Sequence, residues 1–146
     1  MTQEKHLLMK DLFARIPYGV TVRVEGDWFY DKKEPYDCKL TPHIFTEQLI
    51  VHNGNIMPYL RPMSSMTYEE REEAREKFFN GSDHYDIDDI GEIYADSYQP
   101  YTSVYTLSFA RLSGYIDWLN AHHFDYRGLI PMGLALEAPE GMYKKE

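Results

Sequence analysis

At 146 residues, 43% hydrophobic and 27% charged, the chain has the size and composition of one globular domain and not of a disordered segment. A formal net charge of −9 argues against phosphate-backbone binding as the main activity, which needs clustered Lys and Arg. The single cysteine, Cys38, excludes an internal disulfide. No run is apolar enough for a membrane span, and the charged N-terminal segment does not read as a signal peptide, so a cytoplasmic protein without membrane contact is expected.

The first element, in "MTQEKHLLMKDLFARI", is an amphipathic helix. Leu8, Asp11, Leu12 and Arg15 share one side, Leu7, Met9 and Phe13 widen the apolar surface, and Pro17 stops it. In "GVTVRVEGDWFY", Val20, Val22 and Val24 alternate with polar residues as in a half-buried strand, and Gly26-Asp27 allows a turn into Trp28-Phe29-Tyr30. "YDCKL" and "IFTEQLIVH" read as further strands. Asn53-Gly54 between two apolar runs predicts a type I′ hairpin into "IMPYL".

Residues 19–61 are therefore expected to form a small antiparallel SH3-like sheet or barrel, and residues 67–140 a mainly helical part, within one α+β domain of 1–146. Thr67 and Glu70 make a capping box for a helix that Asn80-Gly81 ends. Residues 82–100 read as loop with short helical pieces, and "YTSVYTLSF" as a strand. Leu112, Tyr115, Ile116 and Leu119, at i, i+3, i+4 and i+7, mark the last long helix.

Continued to "HHFDYRG", that helix would put His123 on its apolar face and His122 at the edge beside Trp118. The two histidines then point apart and form no ligand pair. Asp125 stands where a cap for one more helical turn belongs, which makes the stretch a helix–turn–helix corner laying Leu134 and Leu136 into the core.

Other constellations fail on spacing. Set on an EF-hand loop, Asp86, Asp88 and Gly91 fit, but Ile90 and Ser97 fall where ligands belong. No H-E-x-x-H, cysteine pair or Gly-rich phosphate loop occurs, and Cys38 lacks a neighbouring base.

No catalytic residue, metal or cofactor is expected, and non-enzymatic binding to another protein is the expected function. Trp118, His122, Tyr126 and Arg127 are its nominated surface. An alternative is an acidic inhibitor that mimics nucleic acid, with glutamates of 69–76 and aspartates of 83–89 forming one negative band in the basic groove of a host enzyme. A third is a metal-dependent or hydrolytic enzyme around His123 and Asp125.

The blocks "KHLLMKDLFARIPYGV", "PYLRPMSSMTYEE" and "WLNAHHFDYRGLIPMGLALEAPEGMY" resemble a family of small uncharacterised proteins of anaerobic gut bacteria and their phages or mobile elements. The resemblance implies a setting, an accessory gene whose product modulates a host, and carries no catalytic residue over.

Overall fold

The structure, a computed structural model, describes residues 2–25, 34–51, 54–79, 85–88, 90–95 and 109–143. Its contacts group the chain into two compact units, Met1–Arg61 with Asn120–Glu146, and Pro62–Leu119. The architecture is α+β.

The first unit opens with α1 (Gln3–Arg15). Thr2 caps it by accepting the Lys5 N–H at 3.1 Å, and Leu8, Asp11, Leu12 and Arg15 are its buried side, as their spacing predicts. A 3-10 turn, Ile16–Tyr18, carries Pro17. Gly19, at φ 70°, then turns the chain into the sheet, where a Cβ would be strained.

β1 (Thr21–Glu25) buries Val22 and Val24 and turns its other residues outward. It pairs antiparallel with β2 (Tyr36–Lys39) and with β3 (Asn55–Leu60). The fourth strand, β6 (Leu136–Glu137), lies parallel to β3 through Tyr59–Leu136 and Leu60–Glu137, giving the order β2-β1-β3-β6. Among the described residues the sheet is thus mixed and not closed. The expectation of a purely antiparallel sheet is corrected by its last strand, which arrives from the far end of the chain along a long connection that permits parallel pairing.

A second correction concerns "IFTEQLIVH", which is helical. Thr41 accepts the Ile44 N–H at 3.1 Å, Pro42 takes the first helical position of α2 (Pro42–Ile44), and a π-helical stretch, Phe45–Val51, comes next. Phe45, Gln48 and Leu49 are buried at helical spacing, a pattern hidden beneath the strand-like Thr, Ile and Val. The hairpin expected at Asn53-Gly54 therefore lacks its first strand; Asn53 itself lies outside the described residues. The core of this unit joins Leu8 and Leu12 to Val20, Val22, Val24, Leu40, Phe45, Leu49, Ile56, Leu60, Leu129 and Ala135. Burying side chains of this size contributes about 1.5–3 kcal/mol each.

In the second unit, a 3-10 turn (Met63–Ser65) precedes α3 (Tyr68–Phe78), whose Thr67/Glu70 capping box is present in both directions at 3.1 and 3.0 Å. β4 (Tyr85–Ile87) and β5 (Ile93–Ala95) form an antiparallel hairpin where loop and short helix are expected. Gly91, at φ 75°, makes that turn possible, and its carbonyl accepts the buried Tyr115 hydroxyl at 2.5 Å. Tyr115 belongs to α4 (Phe109–Ala121), the helix its spacing predicts, and Phe79 meets the Tyr115 ring edge-on at 5.2 Å. Tyr68, in the first turn of α3, is exposed. The turn at 26–30, the helix stop at 80–81 and residues 101–108 of the strand expected at 101–109 lie outside the described residues, while Phe109 is the first residue of α4. No helix among the described residues is long and apolar enough to cross a membrane.

Candidate functional site

The stretch His122–Gly128 is a tight corner of the first unit, not a continuation of α4. The helix stops at Ala121, and His123 takes φ 64°, a left-handed conformation that His adopts more readily than most side chains. The His123 N–H donates to the Asn120 carbonyl at 3.1 Å. Arg61 then clips the corner to the sheet, donating to the His123 carbonyl and accepting from the Asp125 N–H, both at 2.8 Å. Asp125 accepts the Leu129 N–H at 2.8 Å and the Ile130 N–H at 2.9 Å, one on each carboxylate oxygen. Its capping role is the expected one, but the residues after it form turns and then β6, so there is no helix–turn–helix. Ala135 is buried, while Leu134 packs half-buried against the core.

The His123 ring is buried and stacks on Tyr143, with centroids 3.7 Å apart and an interplanar angle of 20°. The Tyr143 hydroxyl donates to the Tyr59 carbonyl at 2.6 Å and accepts the Thr21 N–H at 3.1 Å, tying the C-terminal segment to the sheet. Burial pushes His123 down to about 4, with Arg15, His122 and Arg61 adding like charge. An unfolded His titrates near ~6.5. Between those values the unfolded chain takes up a proton that the folded chain refuses, so stability is full above the upper value and falls as pH drops through the window. The expected loss is on the order of 2 kcal/mol, reduced from the full shift by solvent screening. Urea unfolding across this window checks it: His123→Asn, which tolerates the same backbone, should lose this slope. An unchanged slope assigns the acid sensitivity elsewhere.

Behind the corner lies a buried ionic cluster whose first two members the sequence places on the inner side of α1 without giving them a role. Arg15 donates Nε to Asp11 at 2.8 Å and Nη2 to the Phe124 carbonyl at 2.7 Å, and both side chains have 0% exposure. Arg127 Nε stands 3.8 Å from the other Asp11 oxygen. The Tyr126 ring lies 5.4 Å from the Arg15 guanidinium carbon and 5.2 Å from that of Arg127, a cation–π arrangement with both. The available signal was an Asp and an Arg four residues apart on an otherwise apolar helix side.

The other side of α1 borders an apolar groove of about 460 Å³. Met9, Phe13, Ile16 and Pro17 form one bank; Pro42, Phe45, Thr46 and Ile50 form the other. Phe13 is 60% exposed and Ile50 51%, while Phe45 is buried with its ring centroid 4.6 Å from that of Phe13. The π-helical backbone builds this bank: its i→i+5 closure puts Phe45 and Ile50 one turn apart, and such insertions recur at functional sites.

Of the nominated residues, Trp118 belongs to the second unit and His122, Tyr126 and Arg127 to the first. Trp118 is buried in the second unit, stacked on Tyr115 at 6.1 Å, and presents no open ring. His122, Tyr126 and Arg127 are half-buried in the first unit, with His122 stacked over Phe124 at 6.5 Å and Tyr126 and Arg127 in the ionic cluster. Along α3, Arg75 binds Asp86 through two bonds of 2.8 and 2.7 Å and Glu72 at 2.9 Å, and Lys77 pairs with Glu73 at 2.9 Å. Asp83 and Asp89 lie outside the described residues. Among those described, no three His, Cys, Asp or Glu side chains gather as a metal group. Burial and the nearby Asp37 push the Cys38 thiol up, away from the reactive thiolate.

Comparison of the chain with protein-family models, curated proteins and solved structures returns no match.

Proposed function

We propose that the chain is a non-enzymatic protein-binding module that takes an amphipathic helical segment of another protein into the groove between α1 and the π-helical segment. The observation that carries this reading is the groove itself: about 460 Å³, lined by apolar side chains with Thr46 the one polar exception, and flanked by exposed Phe13 and Ile50. Grooves of this kind receive the apolar face of a helix, read through anchors at i, i+3 and i+4.

The test uses Phe13→Asp and Ile50→Asp, both at exposed positions where the fold loses little. The parent protein is expected to bind anilinonaphthalene sulfonate, an apolar dye, in the groove and to retain one stoichiometric protein from host lysate. Each variant is expected to weaken both interactions at least about tenfold while unfolding in urea as the parent does. Variants that stay folded and keep dye and partner would overturn the reading.

The nucleic-acid mimic ranks behind it, because the ion pairs of Arg75 and Lys77 interrupt the acidic side of α3. The hydrolytic reading ranks third, since both Asp125 oxygens already serve Leu129 and Ile130.

A further inference from the structure

β2 is an end strand of its sheet: β1 pairs with one side, and among the described residues no strand pairs with the other. Tyr36, Asp37 and Lys39 are exposed and Cys38 is half-buried. The direction of the backbone groups follows from the ladder. The Leu40 N–H donates to the Val20 carbonyl at 2.9 Å, so Val20–Leu40 is a hydrogen-bonded pair, and at steps of two residues Val22–Cys38 and Val24–Tyr36 are hydrogen-bonded pairs as well. Pro58, which has no N–H, stands opposite Val22 on β3, where the same alternation calls for a pair without bonds. The N–H and C=O groups of Asp37 and Lys39 therefore point away from β1, to the open edge.

An open edge of this kind is a template for another strand. Only residues with outward backbone groups can exchange bonds with a second copy, which leaves three antiparallel registers. Asp37 opposite Asp37 and Lys39 opposite Lys39 each set like charges together. The third sets Asp37 opposite Lys39 of the other copy, and by symmetry Lys39 opposite its Asp37, so both pairs are complementary. Asp37 lies on the same face of the sheet as Arg23, its partner on β1, and accepts the Tyr59 hydroxyl at 2.9 Å through one oxygen, which holds the carboxylate at the edge. Pro35 has no N–H to offer and ends the ladder on that side, so the pairing stays short.

We infer that β2 is a self-association edge, on which two copies of this chain pair antiparallel about a two-fold axis at Cys38, with Asp37 of each copy opposite Lys39 of the other. Each such pair exchanges two backbone bonds, and the symmetry uses up both edges, which closes the assembly as a dimer. A strand of four residues covers little area, so the association is weak and reversible. No residue that lines the groove belongs to β2, so the dimer and the groove can fail separately.

Sedimentation equilibrium of the parent from about 10 μM to about 1 mM is expected to show a reversible dimer. Over the same range the Asp37 and Lys39 amides should gain protection from exchange in ¹⁵N-labelled protein, while those of Tyr36 and Cys38, already bonded to β1, stay as they are. Asp37→Lys and Lys39→Asp each set like charges opposite one another, and each alone should self-associate at least about tenfold more weakly. Mixed in equal amounts, the two variants meet with opposite charges at both positions and should form a heterodimer where neither associates alone. A folding defect cannot produce that rescue. Phe13→Asp, in the groove, should dimerise as the parent does. A parent that stays monomeric to about 1 mM overturns the proposal and leaves the edge to an extended strand of another protein. So does a dimer whose Asp37 and Lys39 amides exchange as in the monomer, or a mixture that associates no more than its components.

Discussion

Replacing Arg15 by methionine is expected to lower stability by about 3–5 kcal/mol, the cost of stranding a buried carboxylate. The partner left behind is Asp11, fully buried, with Arg127 Nε at 3.8 Å too distant to replace the 2.8 Å bond. The Phe124 carbonyl loses its 2.7 Å donor as well, so the anchoring of the corner to α1 weakens together with the ion pair. Urea unfolding measures the loss, and the double variant Asp11→Leu/Arg15→Met separates its causes. Burying neither charge, the double variant should recover most of the deficit, because apolar replacement of a buried pair is often close to neutral. A single variant that unfolds like the parent would show that the pair is not desolvated as described.

Asp125→Ala is expected to cost about 2–4 kcal/mol, since each backbone bond to a buried charged acceptor contributes about 1.5–3 kcal/mol and the Leu129 N–H is left buried. Amide exchange locates the effect: the Leu129 and Ile130 amides should lose protection ahead of the β1 amides. Asp125→Asn keeps an acceptor oxygen and should fall between the two. A loss below about 1 kcal/mol, with unchanged exchange at both amides, would detach Asp125 from the turn and revive its candidacy for chemistry. The distinction matters because the same two residues, His123 and Asp125, are those a hydrolytic reading would need.

Local rules were sufficient wherever one segment set its own conformation. The buried side of α1, the β1 alternation, the Thr67/Glu70 box and α4 were legible from spacing and capping chemistry, because those signals act over a few residues and agree with the packing they meet. The strand expected at "IFTEQLIVH" failed for the reverse reason. Its Thr, Ile and Val favour strands locally, and the cap at Thr41-Pro42 with burial of Phe45, Gln48 and Leu49 prevailed. The short β4–β5 hairpin likewise depends on the positive φ of Gly91 and the support of Tyr115, a partner distant in sequence.

The candidate sites divide along the same line. Residue order alone marks "HHFDYRG" as a corner, gives Asp125 its role as a cap, and makes the two faces of α1 unlike. Packing between remote segments takes His123 out of the helix to stack on Tyr143, returns β6 parallel to β3, and brings Arg127 and Tyr126 to Arg15 and Asp11. It also sets α2 and the π-helical stretch opposite Phe13 to form a groove. The physical reason is reach: capping and periodicity are interactions between neighbours along the chain, whereas an ion pair or a groove exists only when segments remote in sequence are brought together by burial of a common core.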